Sequence, residues 1–382
     1  MIVWSYFHKD PVAIHVTNSL NQLQLQMITQ IANKLIARKK NVLVLHEGLD
    51  KGDLKNFKGC AFYNVLPIKR MHFESNFYKK LSLSPDNTPV LNAFSPQKWQ
   101  RFMNSQAAKI IFFNSFFGSI KCSKLLTYPY GTNLGRAMRA GANLANVESY
   151  SLVTVMFAAH DRSFPVLEPY TKFLLYGEDG KELFLNRGIK EKNILVTGNP
   201  AYDEISMRKT AYVGSSSGNL KILIATSGID KLDRSWLSIF QKLIRGWDVE
   251  VRLRPHPAVG PGQYEWIVSR NRQFSFSSYS LEEDINWSDV LLSDFSHVIV
   301  VCALLQRRMI LINFSGQDFA LRWDLKLKVP LVKNKVEFED ALTLLANEDS
   351  QHAPNSGTEY STEGINYRND GNALVRIVDA LS

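Results

Sequence analysis

The sequence predicts an α/β protein of two doubly wound domains, each built on a parallel sheet. Three observations carry this expectation. Short apolar runs such as residues 11–17, 41–45 and 220–226 alternate with stretches of helical length, the pattern of β-α-β units. The chain has 382 residues, more than one hydrophobic core usually serves. Residues 206–219 form a Gly/Ser-rich break between two such series. The expected domains are therefore 1–210 and 219–349, with 350–382 a polar tail and a helix that crosses back to the first domain.

In the first half, residues 11–17 (PVAIHVT) read as a buried strand, Asn18 and Ser19 as caps for a helix reaching Ala37, and residues 41–45 (NVLVL) as the next strand. Residues 59–66 read as a third strand, followed by loops and helix fragments, then a helix over 96–106 running into the apolar residues 109–113. Residues 128–133 (YPYGTN) form a turn in which Thr132 or Asn133 caps the helix LGRAMRAGANLA. A strand over 151–159 stops at His160-Asp161, another spans 170–176, and a third over 193–197 ends in Gly198-Asn199-Pro200.

The second half restarts with a strand over 220–226, then Ser227-Gly228 and a helix over 231–246. Residues 251–257 (VRLRPHP) describe a strand that ends abruptly with an imidazole at its carboxyl edge, where open α/β sheets bind ligands. The prolines on either side leave His256 little backbone freedom, so its ring is presented. After it come a helix over 263–269, a strand over 274–278, an acidic helix over 281–287, a strand over 290–292 and an apolar helix over 298–306. A strand over 309–313 and helices over 336–346 and 372–381 complete the series.

Composition narrows the function. The net charge of +9 is spread out, with no run beyond Arg38-Lys39-Lys40, which argues against nucleic acid and suits anionic small molecules or an acidic membrane surface. Cys60, Cys122 and Cys302 form neither a metal-spaced pair nor a disulfide framework, so a reducing compartment is expected. The first residues lack the features of a signal peptide, and the longest apolar stretch is too short to span a bilayer. The expected location is cytoplasmic, peripheral at the inner face of the membrane. GxxxxGK[ST], GxGxxG, HExxH and Asp-x-Asp patterns are absent, and the GxSxG match at 214–218 lies in the linker, so no metal and no resident cofactor are expected.

Two strand ends of the second domain carry polar loads: Arg254 with His256, and Ser293 with Asp294, Ser296 and His297. In a parallel sheet both lie on one edge, and the second opens a helix whose first N–H groups attract anions. Ser-Asp before an apolar helix is by itself an N-cap; paired with a histidine between two prolines it points to a phosphate site. Ser227-Gly228 offers a further place to cradle phosphate. In the first domain, His160 or Asp161 is placed to take a proton from an acceptor hydroxyl, with Glu168 as a second carboxylate. Asn18, Ser19 and Asn199 stand at strand ends on the expected acceptor side.

RPHP, then SDFSHVIVVCALLQRRMILIN about forty residues on, preceded by AAHD and VTGNPAYDEI, resembles bacterial GT-B transferases of surface-polysaccharide and teichoic-acid assembly. These include the CDP-glycerol glycerophosphotransferase-like proteins and the sialyl- and Kdo-transferases with His-Pro and Ser motifs. The likeness runs from about residue 131 to 313. It implies two Rossmann-like domains with parallel sheets facing an interdomain cleft, donor phosphate at His256, Ser293 and Ser296, and a base at His160 or Asp161. It departs at His297, where many relatives have serine, and at Asp161, where many have glycine. The expected function is transfer of a sugar from a CMP-, CDP- or UDP-linked donor to a hydroxyl of a glycan or lipid-linked glycan. Transfer of a polyol phosphate, a non-hydrolysing UDP-N-acetylglucosamine 2-epimerase and an inactive binding subunit of the same fold are the alternatives.

Overall fold

The computed structural model describes residues 10–18, 20, 22–69, 96–128, 131–154, 168, 170–207, 219–257, 259–294, 296–316, 323–348 and 360–382. These form two compact units, one from the residues up to Thr154 with 168–201 and Asn372–Ser382, the other from Tyr202 to Gly371.

The first unit holds seven parallel strands: β1 (Val12–Val16), β2 (Val42–His46), β3 (Ala61–Asn64), β4 (Lys124–Tyr128), β5 (Glu148–Val153), β6 (Thr171–Leu175) and β7 (Ile194–Val196). They lie in the order β3-β2-β1-β4-β5-β6-β7. The central strands are buried along their whole length because helices cover both faces, which is why they read as unbroken apolar runs. Successive residues serve opposite faces: Val12, Ile14 and Val16 meet the helices Gln22–Ala37 and Ala373–Leu381, whereas Ala13 faces Phe113, Phe117 and Met138. The helix Ala373–Leu381 belongs to this core through Ile377, Val378 and Leu381, and Lys124 Nζ donates to the Ala380 carbonyl at 2.9 Å.

Three features differ from the sequence reading, one of them the short unexpected strand Leu331–Val332 at the edge of the second sheet. Residues 96–120 form one 25-residue helix, so the apolar residues 109–113 continue it. The strand β4 was not expected at all, yet it pairs with both β1 and β5 at the centre of the sheet. The helix Asn133–Leu144 begins where Thr132 accepts the Gly135 N–H, which settles which of the two candidates is the cap. Gly141 lets that helix approach the long one: a Cβ there would fall 2.6 Å from Phe113 Cβ and 2.8 Å from the Ile110 carbonyl oxygen.

The second unit holds β8 (Leu220–Ala225), β9 (Val249–Arg254), β10 (Phe274–Phe276), β11 (Val290–Ser293), β12 (Met309–Ile312) and β13 (Leu331–Val332). All are parallel, in the order β10-β9-β8-β11-β12-β13. Its core gathers Trp236, Leu237 and Phe240 of the helix Asp230–Leu243 and Phe338 against Ile222, Ile224, Val251 and Leu253. The arginines that alternate with Val251 and Leu253 lie on the other face, where Arg252 stacks over the Trp287 and Tyr279 rings at 3.8 and 4.3 Å. Among the described residues no helix is long and apolar enough to cross a membrane.

One buried ion pair ties the first unit together. Arg139, with no exposed surface, gives Nε and Nη2 to the two carboxylate oxygens of Glu168 at 2.6 and 2.8 Å, and Nη1 to Thr127 Oγ1 at 2.7 Å. Thr171 donates to the same carboxylate at 3.0 Å. Removing Glu168 strands a buried guanidinium, so Glu168→Ala should lower unfolding stability by about 3–5 kcal/mol. Denaturant unfolding of the two proteins measures this; a loss below about 1 kcal/mol would show that the pair is peripheral to stability.

Candidate functional site

In the second unit the strand order reverses around β8, which lies between β9 and β11. The two strand ends singled out by sequence are therefore two strand spacings apart, about 10 Å, with the loop after β8 between them. That loop draws all three ends together. The His256 amide donates to Thr226 Oγ1 at 3.1 Å, and Ser293 Oγ donates to the Ala225 carbonyl at 3.0 Å. Gly228 packs directly on the imidazole: a Cβ there would lie 3.0 Å from His256 Cβ and 3.4 Å from Nδ1. With φ at +80° as well, the position accepts only glycine without strain.

The loop is held from beneath by Asp233, a fully buried carboxylate in the first turn of the helix Asp230–Leu243. One oxygen accepts the Ser227 amide and hydroxyl at 3.1 and 2.9 Å; the other accepts the Gly228 amide at 3.1 Å and the Tyr264 hydroxyl at 2.6 Å. The amides of Ser227 and Gly228 thus point inward to a carboxylate. What the loop offers at the edge is its close approach to His256.

Asp294 follows β11 and is 3% exposed, and neither carboxyl oxygen has a hydrogen-bond partner among the described residues. Burial, and then the charge of Asp233, push its carboxyl up to about 7, while the nearby Ser227 hydroxyl and its own amide pull the other way. Ser227 directs its own proton to Asp233, so the neighbour gains little.

The other sequence candidates fall in distinct settings. Arg254 bonds the buried Asp284 at 2.8 Å and the Tyr279 carbonyl at 2.8 Å, on the β10 side of its strand. Ser293 is fully buried, its hydroxyl directed to backbone carbonyls. Ser296 Oγ faces the Val298 amide at 3.5 Å, and the Ile299 and Val300 amides bond the Ser296 and His297 carbonyls. The helix Val298–Leu304 is thus short and its first turn is closed locally. His297 Nδ1 and the Tyr202 hydroxyl share a hydrogen bond of 3.1 Å.

In the first unit, Asn18 is exposed at the end of β1 and lines a cavity. Asn199 is buried and caps a turn by accepting the Ala201 amide at 3.1 Å. Glu168, expected as a second carboxylate at the acceptor, is instead 5% exposed and held by Arg139 and Thr171. His160, Asp161 and Ser19 lie outside the described residues.

Sequence reasoning did not single out Thr226, Asp233 or Tyr264, and it read Asp294 only as a cap. Asp233 sits six residues past Ser227, where a first-turn carboxylate reads as a surface residue suiting the dipole; that it bonds backward into the preceding loop is a tertiary fact.

Two outcomes are expected. Gly228→Ala should lose about 1–3 kcal/mol and displace His256, seen as lower thermal stability with changed His256 NMR shifts; unchanged shifts would contradict the packing. The native Asp294 carboxyl keeps its proton to about pH 7, whereas an unfolded aspartate releases it near 3.8. Its contribution to stability is therefore full below about pH 4 and lost as pH rises through 7. Asp294→Asn should flatten stability between pH 5 and 8 by on the order of 1–4 kcal/mol relative to the unsubstituted protein, measured by denaturant unfolding. Parallel pH profiles would contradict it.

No family model matches the chain, and no curated protein matches it significantly in sequence. Solved structures match over nearly the whole chain. A glycosyltransferase from Rickettsia africae superposes with a TM-score of 0.62 at 9% identity, over 98% of this chain and 99% of that one. A UDP-N-acetylglucosamine 2-epimerase from Neisseria meningitidis bound to UDP-N-acetylglucosamine gives 0.59 at 14% identity, over 98% and 99%. The lipopolysaccharide outer core galactosyltransferase WaaB in its apo form gives 0.58 at 11%, over 96% and 99%. This likeness shows the fold: two Rossmann-like domains of the GT-B kind, as the motifs led us to expect.

Proposed function

We propose that the protein is a glycosyltransferase that moves a sugar from a CMP-, CDP- or UDP-linked donor to a glycan hydroxyl during assembly of a bacterial surface polysaccharide. The observation that carries this reading is the convergence of three strand ends at the order reversal of the second sheet, with the Gly228 backbone packed against the exposed His256. Donor phosphate would sit at that edge and meet the imidazole and the Ser296 hydroxyl. Glycosyltransferases and epimerases of the same fold, one of them holding UDP-N-acetylglucosamine, support a nucleotide sugar as the ligand.

In this reading the acceptor oxygen bonds to the anomeric carbon as the bond from that carbon to the phosphate oxygen breaks. The nucleotide leaves with the electron pair, and the acceptor proton passes to a base, for which His160 and Asp161 are the candidates. His256, protonated or donating one N–H, stabilises the departing phosphate. The sequence has no Asp-x-Asp pair, so the reaction is proposed to need no metal. The net charge of +9 suits work at an anionic membrane surface on a lipid-linked acceptor.

Epimerisation of a UDP-sugar is the second reading, favoured by the epimerase likeness. Incubation with a nucleotide sugar and no acceptor separates the two, because only an epimerase then yields a new sugar. For the transferase, His256→Ala should lower kcat/KM by about 10²–10³-fold with unfolding unchanged, and chelation should leave the rate intact. Full turnover by His256→Ala would overturn the donor-site assignment.

A further inference from the structure

The first unit contains a cavity of about 490 Å³, within the range of small-molecule sites. It lies where the strand order of that sheet reverses, between β1 and β4. Asn18 reaches it from the end of β1, Glu47 from the end of β2, and Thr132 from the cap of the helix Asn133–Leu144. The remaining wall is one face of the long helix Pro96–Ile120, where Arg101, Ser105 and Lys109 recur every fourth residue.

The polar character of this cavity is built in. Glu47, Ser105 and Lys109 are 2%, 7% and 6% exposed, so charged and hydroxyl groups are set into the buried wall of the cavity. One and two turns further along the same helix, Phe113 and Phe117 pack into the hydrophobic core instead. Glu47 is fixed by the fully buried His15, whose Nε2 lies 3.0 Å from its Oε1. The lining carries two cations, Arg101 and Lys109, against that one carboxylate, and the positive end of a twelve-residue helix faces the same space. Phe102, 38% exposed, adds an aromatic surface.

We propose that this cavity binds a sugar unit carrying an oxyanion, a carboxylate or a phosphate, as part of the acceptor. The anionic group is held on the side of Arg101 and Lys109 and the helix start. The sugar hydroxyls bond Glu47 and Asn18, and the ring lies on Phe102. The acceptor role rests on the transferase reading above; the binding itself does not. The acceptors implied are acidic glycans rather than neutral ones.

Calorimetric titration of the full chain, without nucleotide, tests this with glucuronic acid, glucose 6-phosphate, glucose and inorganic phosphate. Both acidic sugars should bind in preference to glucose and to phosphate alone. Arg101→Ala, an exposed substitution to the best helix former, should weaken them about five- to tenfold. Lys109→Met should weaken them further, with unfolding curves checking that it folds. Equal binding of glucose, equal binding of bare phosphate, binding of none of the four, or an unchanged affinity in Arg101→Ala would each overturn the proposal. Cytidine and uridine diphosphates titrated into the same proteins should be indifferent to Arg101→Ala. If these nucleotides fail to bind while glucuronic acid binds through Arg101, the donor reading fails and the cavity assignment stands.

Discussion

The four hydrogen bonds that converge on the buried Asp233 carboxylate are the constraint on which the second unit's edge depends. A carboxylate with no exposed surface is costly unless its lone pairs are filled, and here two loop amides, a serine and a tyrosine fill them. The loop after β8 is therefore fixed before any ligand arrives. Because Gly228 is part of that loop, its backbone can press on His256, and because Thr226 takes the His256 amide, the Pro-flanked histidine is tied to the same strand. Preorganisation of this kind lets a phosphate meet positioned groups without first ordering them.

Asp294 shows what the arrangement costs. It stands beside Asp233 with both oxygens unpartnered among the described residues, and burial with that neighbour raises its carboxyl into the neutral range. Two buried carboxyls side by side, one after β11 and one in the first turn of the helix Asp230–Leu243, weaken a core. Their place beside the reversal of the sheet order fits a site shaped for a ligand rather than for stability.

The double run of strands was legible because parallel strands covered on both faces appear as short apolar blocks; of the thirteen strands among the described residues, all but β4 and the two-residue β13 stood out in this way. The strand β4 escaped because KLLTY follows directly on a long apolar helix, where period alone does not separate the two. His256 could be singled out because its prolines act locally. Asp233, Tyr264 and the Arg139–Glu168 pair could not, since each works through partners 5 to 31 residues away that only the folded chain brings near. Arg139 in particular reads as a helix-surface cation, and is fully buried.

The donor-site assignment rests on contact between His256 and the donor phosphate. The chain has eight histidines, so imidazole resonances can be assigned with His256→Ala as the reference, and a pyrimidine nucleoside diphosphate titrated in. The His256 ring signals should shift progressively as the nucleotide saturates, because a phosphate then lies beside the imidazole. Nucleotide binding that leaves the His256 signals in place would contradict that contact.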